Sequence, residues 1–323
     1  MKIKEIFAPS EYDAGETMGK NSGFYDPYAA GEILHRRFIT PWTASWWERY
    51  VGDNALAAVG SASPIMNLLL VLFVGISVGA GVMVSQYFGA KEREALSRTI
   101  GNCITLTAAA SLFIMVVGTL CARPLLELLN TPESIIDWCA SYLIIMMLGS
   151  SGIAYYNILC GILRGLGDSV SALIYLLIAT VINIVLDVAF VAVFHMGVPG
   201  VALATVIAQI ASAVMCMIKL KRMSDLFDLK PQYLKPNGHH AWNIIRLGLP
   251  SGITQAIFSM AMVVVQSLTN SFGEMVIAAN VIIMRVDGFA MMPNFSFGTA
   301  LTTFAGQNVG ARRYDRVEQG AKQ

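Results

Sequence analysis

The sequence predicts an all-α polytopic membrane protein, and three observations carry that prediction. Of 323 residues, 55% are hydrophobic and only 13% charged, a balance foreign to soluble globular domains. The charges are also confined: 54–90, 99–122, 138–163, 169–186, 188–218, 247–273 and 288–311 hold no Asp, Glu, Lys or Arg. All but the run ending at Asp187 exceed the roughly 20 residues a helix needs to cross the hydrocarbon core. Lastly, a single carboxylate, Asp187, interrupts the most apolar stretch, and the turn at 195–200 then parts that stretch into two helices.

The chain opens with early acids and no apolar core, so residues 1–50 are neither a span nor a signal peptide. Gly15, Gly19, Lys20 and Asn21 imitate a phosphate loop, but with three intervening residues instead of four and no Ser or Thr for magnesium. Any pumping then draws on an ion gradient. Seven spans follow, at about 60–89, 100–121, 138–162, 170–195, 198–218, 248–272 and 276–310. Lys and Arg number fourteen in the first, third and fifth loops and after the last span, against Arg123 alone in the others. Loops 91–98, 164–168 and 219–246 and the C-terminal segment are therefore expected in the cytoplasm of a cell whose plasma or inner membrane holds the chain.

Within the spans, Gly75 and Gly79, Gly161 and Gly165, and Gly248 and Gly252 repeat the small-xxx-small spacing that lets helices approach closely. Pro64, Pro250 and Pro293 fall inside spans, where a kink is tolerated. The fourth span carries Asp187 with Asn183 one turn earlier on the same face. A carboxylate at mid-bilayer costs about 3 kcal/mol, so it faces a cavity or a partner. Low dielectric disfavours its charge, which suits a site that takes and releases a proton or cation, with Asn183 orienting it; a structural contact between helices is the plainer reading. In the last span, Arg285 and Asp287 are two apart and do not share a helix face, so each needs its own partner. Asp287 either lines a second cavity or serves structure. Phe289, Met291, Met292, Phe295 and Phe297 form either an adaptable apolar wall or ordinary lipid-facing packing.

The five cysteines show no paired spacing and read as small buried hydrophobes, and the four histidines have no ligand spacing, so no metal or cofactor is expected. Lys219 to Arg246, with Pro231, Pro236 and Gly238, is a cytoplasmic linker whose basic excess suits orientation and anionic lipid rather than nucleic acid.

A repeat organises the whole. Sliding the chain by 221 residues sets Gly52 on Gly273, Asp53 on Glu274, Ala57 and Ala58 on Ala278 and Ala279, Gln86 on Gln307, and Gly89 and Ala90 on Gly310 and Ala311. Both copies run from an acidic turn to a Gly-Ala corner followed by basic residues on the same side, the parallel kind of repeat. A repeat of that length holds six helices, twelve in all, of which this chain supplies the second to the eighth.

The strings VGDNALAAVG (51–60), SQYFGA (85–90), LRGLGDS (163–169), NIVLD (183–187), GVALATVIAQ (200–209), RLGLPSG (246–252) and AGQNVGARRYD (305–315) together resemble the multidrug and toxic compound extrusion family over 51–316. The resemblance implies a secondary transporter, not an enzyme, with two six-helix lobes around a cavity, exchanging protons or sodium for cationic amphiphilic drugs. It implies an N-terminal lobe over 51–222, a linker over 223–245 and the start of a second lobe over 246–323. It also sets Asn183 and Asp187 in the N-lobe cavity, joined by Asn157 and Thr205.

The front end departs from the family pattern. Where the family's first helix ends in a segment like NTVDSIVVG, positions 39–48 read Ile-Thr-Pro-Trp-Thr-Ala-Ser-Trp-Trp-Glu, and a shifted reading of those codons accommodates the family segment at each position. Residues up to about 49 are therefore expected to be an out-of-frame, non-family segment, and the chain an incomplete transporter that a second fragment would complete or that does nothing alone. A rival from another class is Gly165-Leu166-Gly167-Asp168, the GLGD of intramembrane aspartyl proteases, with Asp187 or Asp287 as second acid.

Overall fold

The structure, a computed structural model, describes residues 53–129, 131–272 and 297–322, together with Asn280, Ile283, Asp287 and Met291. The segment 1–50 expected to be non-family, the repeat pairs built on Gly52, Gly273, Glu274, Ala278 and Ala279, and the expectations for Arg285, Phe289, Met292, Pro293 and Phe295 lie outside the described residues. The described residues are helical with short turns. In order they form α1 (Asp53–Gly89), α2 (Arg93–Leu128), α3 (Glu133–Leu148), α4 (Ser150–Gly165), α5 (Ser169–Val188), α6 (Gly197–Arg222), α7 (Gly238–Ser271), a helical stretch at 297–310, and α8 (Tyr314–Lys322).

By length and composition α2, α6 and α5 with its continuation to Val193 can each cross a membrane, and α3 with α4, taken together, is long and apolar enough for a fourth span. Of the other three expected spans, 60–89 lies within α1 and 248–272 falls on α7 and the residue after it, while 276–310 includes positions outside the described set. The third span is not the single straight helix that 138–162 led us to expect. Its axis turns by 51° between α3 and α4. Gly149 at the break has ψ 2°, far from the helical value near −42°, and a Cβ there would overlap the side chain of Val206 on α6. The span bends where α6 crosses it, because only a residue without a side chain fits the crossing.

The join between α4 and α5 explains its own sequence. Gly167 takes φ 89°, and its N–H donates to Arg164 O while that of Asp168 donates to Leu163 O, both at 2.9 Å. This pair of bonds closes a helix C-terminus and favours glycine at the left-handed position. Asp168 then caps α5, accepting from Ser171 N at 3.0 Å and Ser171 Oγ at 2.8 Å. A Lys219 Nζ–Asp168 Oδ2 ion pair of 2.9 Å ties the start of α5 to the end of α6. Gly-Leu-Gly-Asp is thus a turn and a cap.

Two buried clusters hold the bundle. One gathers Met83, Ile100, Leu159, Leu163, Leu220 and Ile244 toward the loops read as cytoplasmic, and the other Phe73, Ile114, Leu126, Leu143, Met147 and Ile153 toward the opposite end. The expected small-residue crossings are present. Gly75 and Gly79 on α1 meet Gly248 and Gly252 on α7, Gly161 lies on Ser77, and Gly165 on Gly81.

The 221-residue repeat is visible in the backbone. Lys91 and Arg312, equivalent under that offset, both adopt positive φ, 58° and 57°, rare for side-chain-bearing residues. The turns match bond for bond: Ala90 N to Gln86 O and Ala311 N to Gln307 O at 2.9 and 3.0 Å, then Lys91 N to Phe88 O and Arg312 N to Val309 O at 3.1 and 3.0 Å. The two copies also grip one another reciprocally. Gly89 lies on the Gln307 carbonyl and Gly310 on the Gln86 carbonyl, while Gly306 rests on Ser85, its own counterpart. Contacts that exchange partners in this way are those of a two-fold axis, and both corners sit at one end of the bundle, as a parallel repeat requires.

The linker does not hang free. Arg93 at the start of α2 donates from Nη1 to Asp225 O and from Nη2 to Ser224 O, each at 2.7 Å, and pairs with the Asp228 carboxylate at 3.1 Å. Further along, Asp228 N donates to Ser97 Oγ at 2.9 Å, Thr105 Oγ1 to Leu234 O at 2.7 Å, and Asn237 N to Asn102 Oδ1 at 2.7 Å. Residues 224–237 therefore form a strap along α2, and the last positions assigned to the linker, from Gly238, already belong to α7.

Candidate functional site

The α5–α6 hairpin carries the polar residues singled out above. Its antiparallel register is read from three contacts: Lys219 meets Asp168, Ser212 Oγ donates to Tyr175 O at 3.1 Å, and Asn183 Nδ2 donates to Thr205 Oγ1 at 3.4 Å. The α6 positions in contact, 205, 212 and 219, are seven apart, the spacing of a seam between two helices. On α5 the same seam carries buried Ala172, Leu176 and Ala179 and continues through Asn183 to Asp187.

Asp187 is 2% exposed. The bundle interior therefore holds a carboxylate sealed from lipid and from solvent, one turn beyond the Asn183–Thr205 bond. Directly after it the helix changes pitch: Ala189–Val193 is a π-helical turn, closed by Phe194 N to Ala189 O at 3.0 Å. Such wide turns reset which side chains face a partner helix and recur at functional sites. Thr205 Oγ1 both accepts from Asn183 and donates to Val201 O at 3.0 Å, so its hydroxyl is fixed in orientation.

The structure thus brings Asp187, Asn183 and Thr205 to one seam. Asn157 stands on α4, where its Nδ2 donates to Ile153 O at 2.8 Å and its own carbonyl accepts from Ser77 Oγ of α1 at 2.7 Å; its amide serves its own helix. Asp287 is exposed and is not drawn into this group. Asp168 cannot pair with Asp187 as a protease dyad, because the two flank the same straight helix about 28 Å apart at 1.5 Å per residue, and Asp168 is held by Ser171 and Lys219.

Sequence reasoning missed Tyr142. Its hydroxyl on α3 lies close enough to Asp187 for the carboxylate charge to act on it, which brings a third helix to the site. The only available signal was a tyrosine inside a neutral run. What the arrangement can do is hold a small cation: one carboxylate supplies one negative charge, and a hydroxyl and an amide supply neutral oxygens, a hard donor set.

Comparison with known proteins agrees with this architecture. The MatE family model matches residues 38–189 and 250–323, beginning ahead of position 51, where the resemblance read from the motifs starts. The probable multidrug resistance protein YoeA of Bacillus subtilis (strain 168) is 32% identical over 278 residues, covering 84% of this chain and 60% of that protein. The probable multidrug resistance protein YpnP of the same organism is 30% identical over 273 residues, covering 84% and 61%. The chain therefore spans about 60% of the length of these relatives. Among solved structures, a MATE protein in complex with MaD3S superposes with a TM-score of 0.85 at 23% identity, covering 92% of this chain and 67% of that one.

Proposed function

Because the chain belongs to the MatE family, we propose that it works in secondary active multidrug efflux across the cell membrane, exchanging a proton or sodium ion for cationic amphiphilic compounds. The observation that carries this reading is the buried Asp187 beside the Asn183–Thr205 bond. A carboxylate in a low-dielectric interior is costly unless it is neutralised. A bound proton or sodium ion neutralises it, and a drug cation entering the same chamber competes for the same charge. Loading one cation therefore displaces the other, which is the thermodynamic core of an exchanger.

Transport further requires the chamber to open on alternate sides. The crossing in which Gly89 and Gly310 meet Gln307 and Gln86 closes the end that carries the basic loops. In the opposite state it has to part, and its small flat contacts leave little side-chain interdigitation to undo. Basic residues on that side, including Lys91, Lys221 and Lys230, hold the orientation and contact anionic lipid headgroups.

The test is accumulation of a fluorescent cationic dye in cells expressing this chain, its Asp187→Asn variant or an empty vector. We expect the chain to lower dye accumulation while the ion gradient stands, and Asp187→Asn to match the vector. Equal accumulation in all three would remove the proposal.

A further inference from the structure

We infer that Gln209 forms the inner wall of the cation site, its amide oxygen taking the bound cation, or a water on that cation, from the side of the Asn183–Thr205 pair opposite Asp187. The inference rests on the preceding reading of Asp187 and adds a residue to it. Gln209 is on α6, four positions after Thr205, so it lies on the same face one turn along. Its place in the seam follows from the α6 contacts at 205, 212 and 219, since position 209 falls between the first two at the four-residue step of a heptad. The register sets Ala179 opposite, whose methyl group leaves room across the seam.

Gln209 Oε1 is buried, and among the described residues it has no hydrogen-bond donor. The other polar side chains on this face of α6 are bonded: Thr205 to Val201 and Asn183, Ser212 to Tyr175, and Lys219 to Asp168. An amide oxygen buried without a donor is unfavourable, and such groups in native proteins mark a function or a bound species.

Direction decides which species. Side chains on a helix lean toward its N-terminus. On α6 that carries the Gln209 amide back over Thr205, and on antiparallel α5 it carries the Asp187 carboxylate back over Asn183. The two groups converge on the Asn183–Thr205 bond from opposite sides. A carboxylate at one end, the Thr205 hydroxyl and the Asn183 amide oxygen between, and the Gln209 amide oxygen at the other end line this stretch of the seam with oxygen donors only and a single negative charge. The single charge is balanced by one monovalent cation, sodium or a protonated water, and the hard oxygen donors disfavour a soft ion.

The test uses the purified full chain in lipid nanodiscs, with sodium-22 binding in one arm and proton uptake after a pH jump in the other, so that the two cations are told apart. Variants are Gln209→Leu, Gln209→Glu and Asp187→Asn, and melting temperature without cation is recorded for each. We expect Asp187→Asn to abolish binding of whichever cation the wild type takes. Gln209→Leu should raise its half-saturating concentration about tenfold, the effect typical of losing a supporting ligand, while its melting temperature holds or rises because an undonated oxygen has gone. Gln209→Glu, which keeps an oxygen, should bind at least as tightly as the wild type. Unchanged affinity in Gln209→Leu, or a fall in melting temperature with affinity intact, overturns the role of Gln209 and leaves Asp187 standing. Cation binding that Asp187→Asn does not alter, or no binding at all, overturns both.

Discussion

Placing a methyl group at Gly79 should push α7 away from α1, whereas the same change at Gly252, in the same crossing, should not. A Cβ at Gly79 would stand 2.7 Å from Gly248 N and 3.0 Å from Gly248 Cα and would overlap the Ile244 carbonyl. Carbon atoms rest at about 3.5–4.0 Å, so the helices would have to separate by roughly half an ångström or more. A Cβ at Gly252 meets nothing nearer than Gly75 Cα and Val71 O, both at 3.6 Å. Overpacking of this kind costs about 1–3 kcal/mol, and replacing glycine in a helix interior returns about 0.5–1 kcal/mol. Gly79→Ala should therefore be destabilising by about 1–2 kcal/mol, and Gly252→Ala stabilising by up to about 1 kcal/mol. Thermal unfolding in detergent, followed by scanning fluorimetry, reads both. The wild type should melt between the two variants. Were they to shift in the same direction, close backbone approach could not be what seats α7 on α1.

Two further outcomes follow from the same contacts. Gly89→Ala and Gly310→Ala, which press on equivalent carbonyls across the two-fold axis, should lower the melting temperature by similar amounts, corresponding to about 1–3 kcal/mol each; a large effect at one with none at the other would break the symmetry argument. The strap should respond to acid. The Arg93 guanidinium holds the Asp228 carboxyl below its ordinary value of 3.8, so the bond contributes fully above that pH and is lost as pH falls through the lowered value. Proteolytic cleavage within 224–237 should therefore rise only below about pH 4, and Asp228→Asn should be cleaved readily at neutral pH; cleavage of both forms alike across the range would show that Arg93 does not hold the strap.

What the sequence made legible was set by range. Neutral runs located the helices because burial in lipid is written into every residue of a span. The pair Asn183 and Asp187 was readable because four residues make one helical turn, and the 221-residue offset because Gln86-x-x-Gly89-Ala90 recurs intact. The break at Gly149 was hidden, since its cause is Val206 on another helix and glycine alone is common in spans. The strap was hidden for the same reason: Arg93 and Asp228 are 135 residues apart, and a basic linker looks the same whether it is docked or loose. Tyr142 and Gln209 carried no motif at all; only the packing of α6 against both α3 and α5 gives them a role. GLGD was a turn whose two left-handed and capping needs, at Gly167 and Asp168, happen to spell a catalytic string.

The account turns on whether the Asp187 carboxyl changes its protonation when cation binds, and infrared difference spectroscopy of the chain in lipid, wild type against Asp187→Asn, reads that group directly. Adding sodium, or raising the pH, should replace an acid carbonyl band by a carboxylate band, and both should be missing from the variant. A wild-type spectrum that stays the same under both changes would mean that the buried acid takes no part in ion exchange.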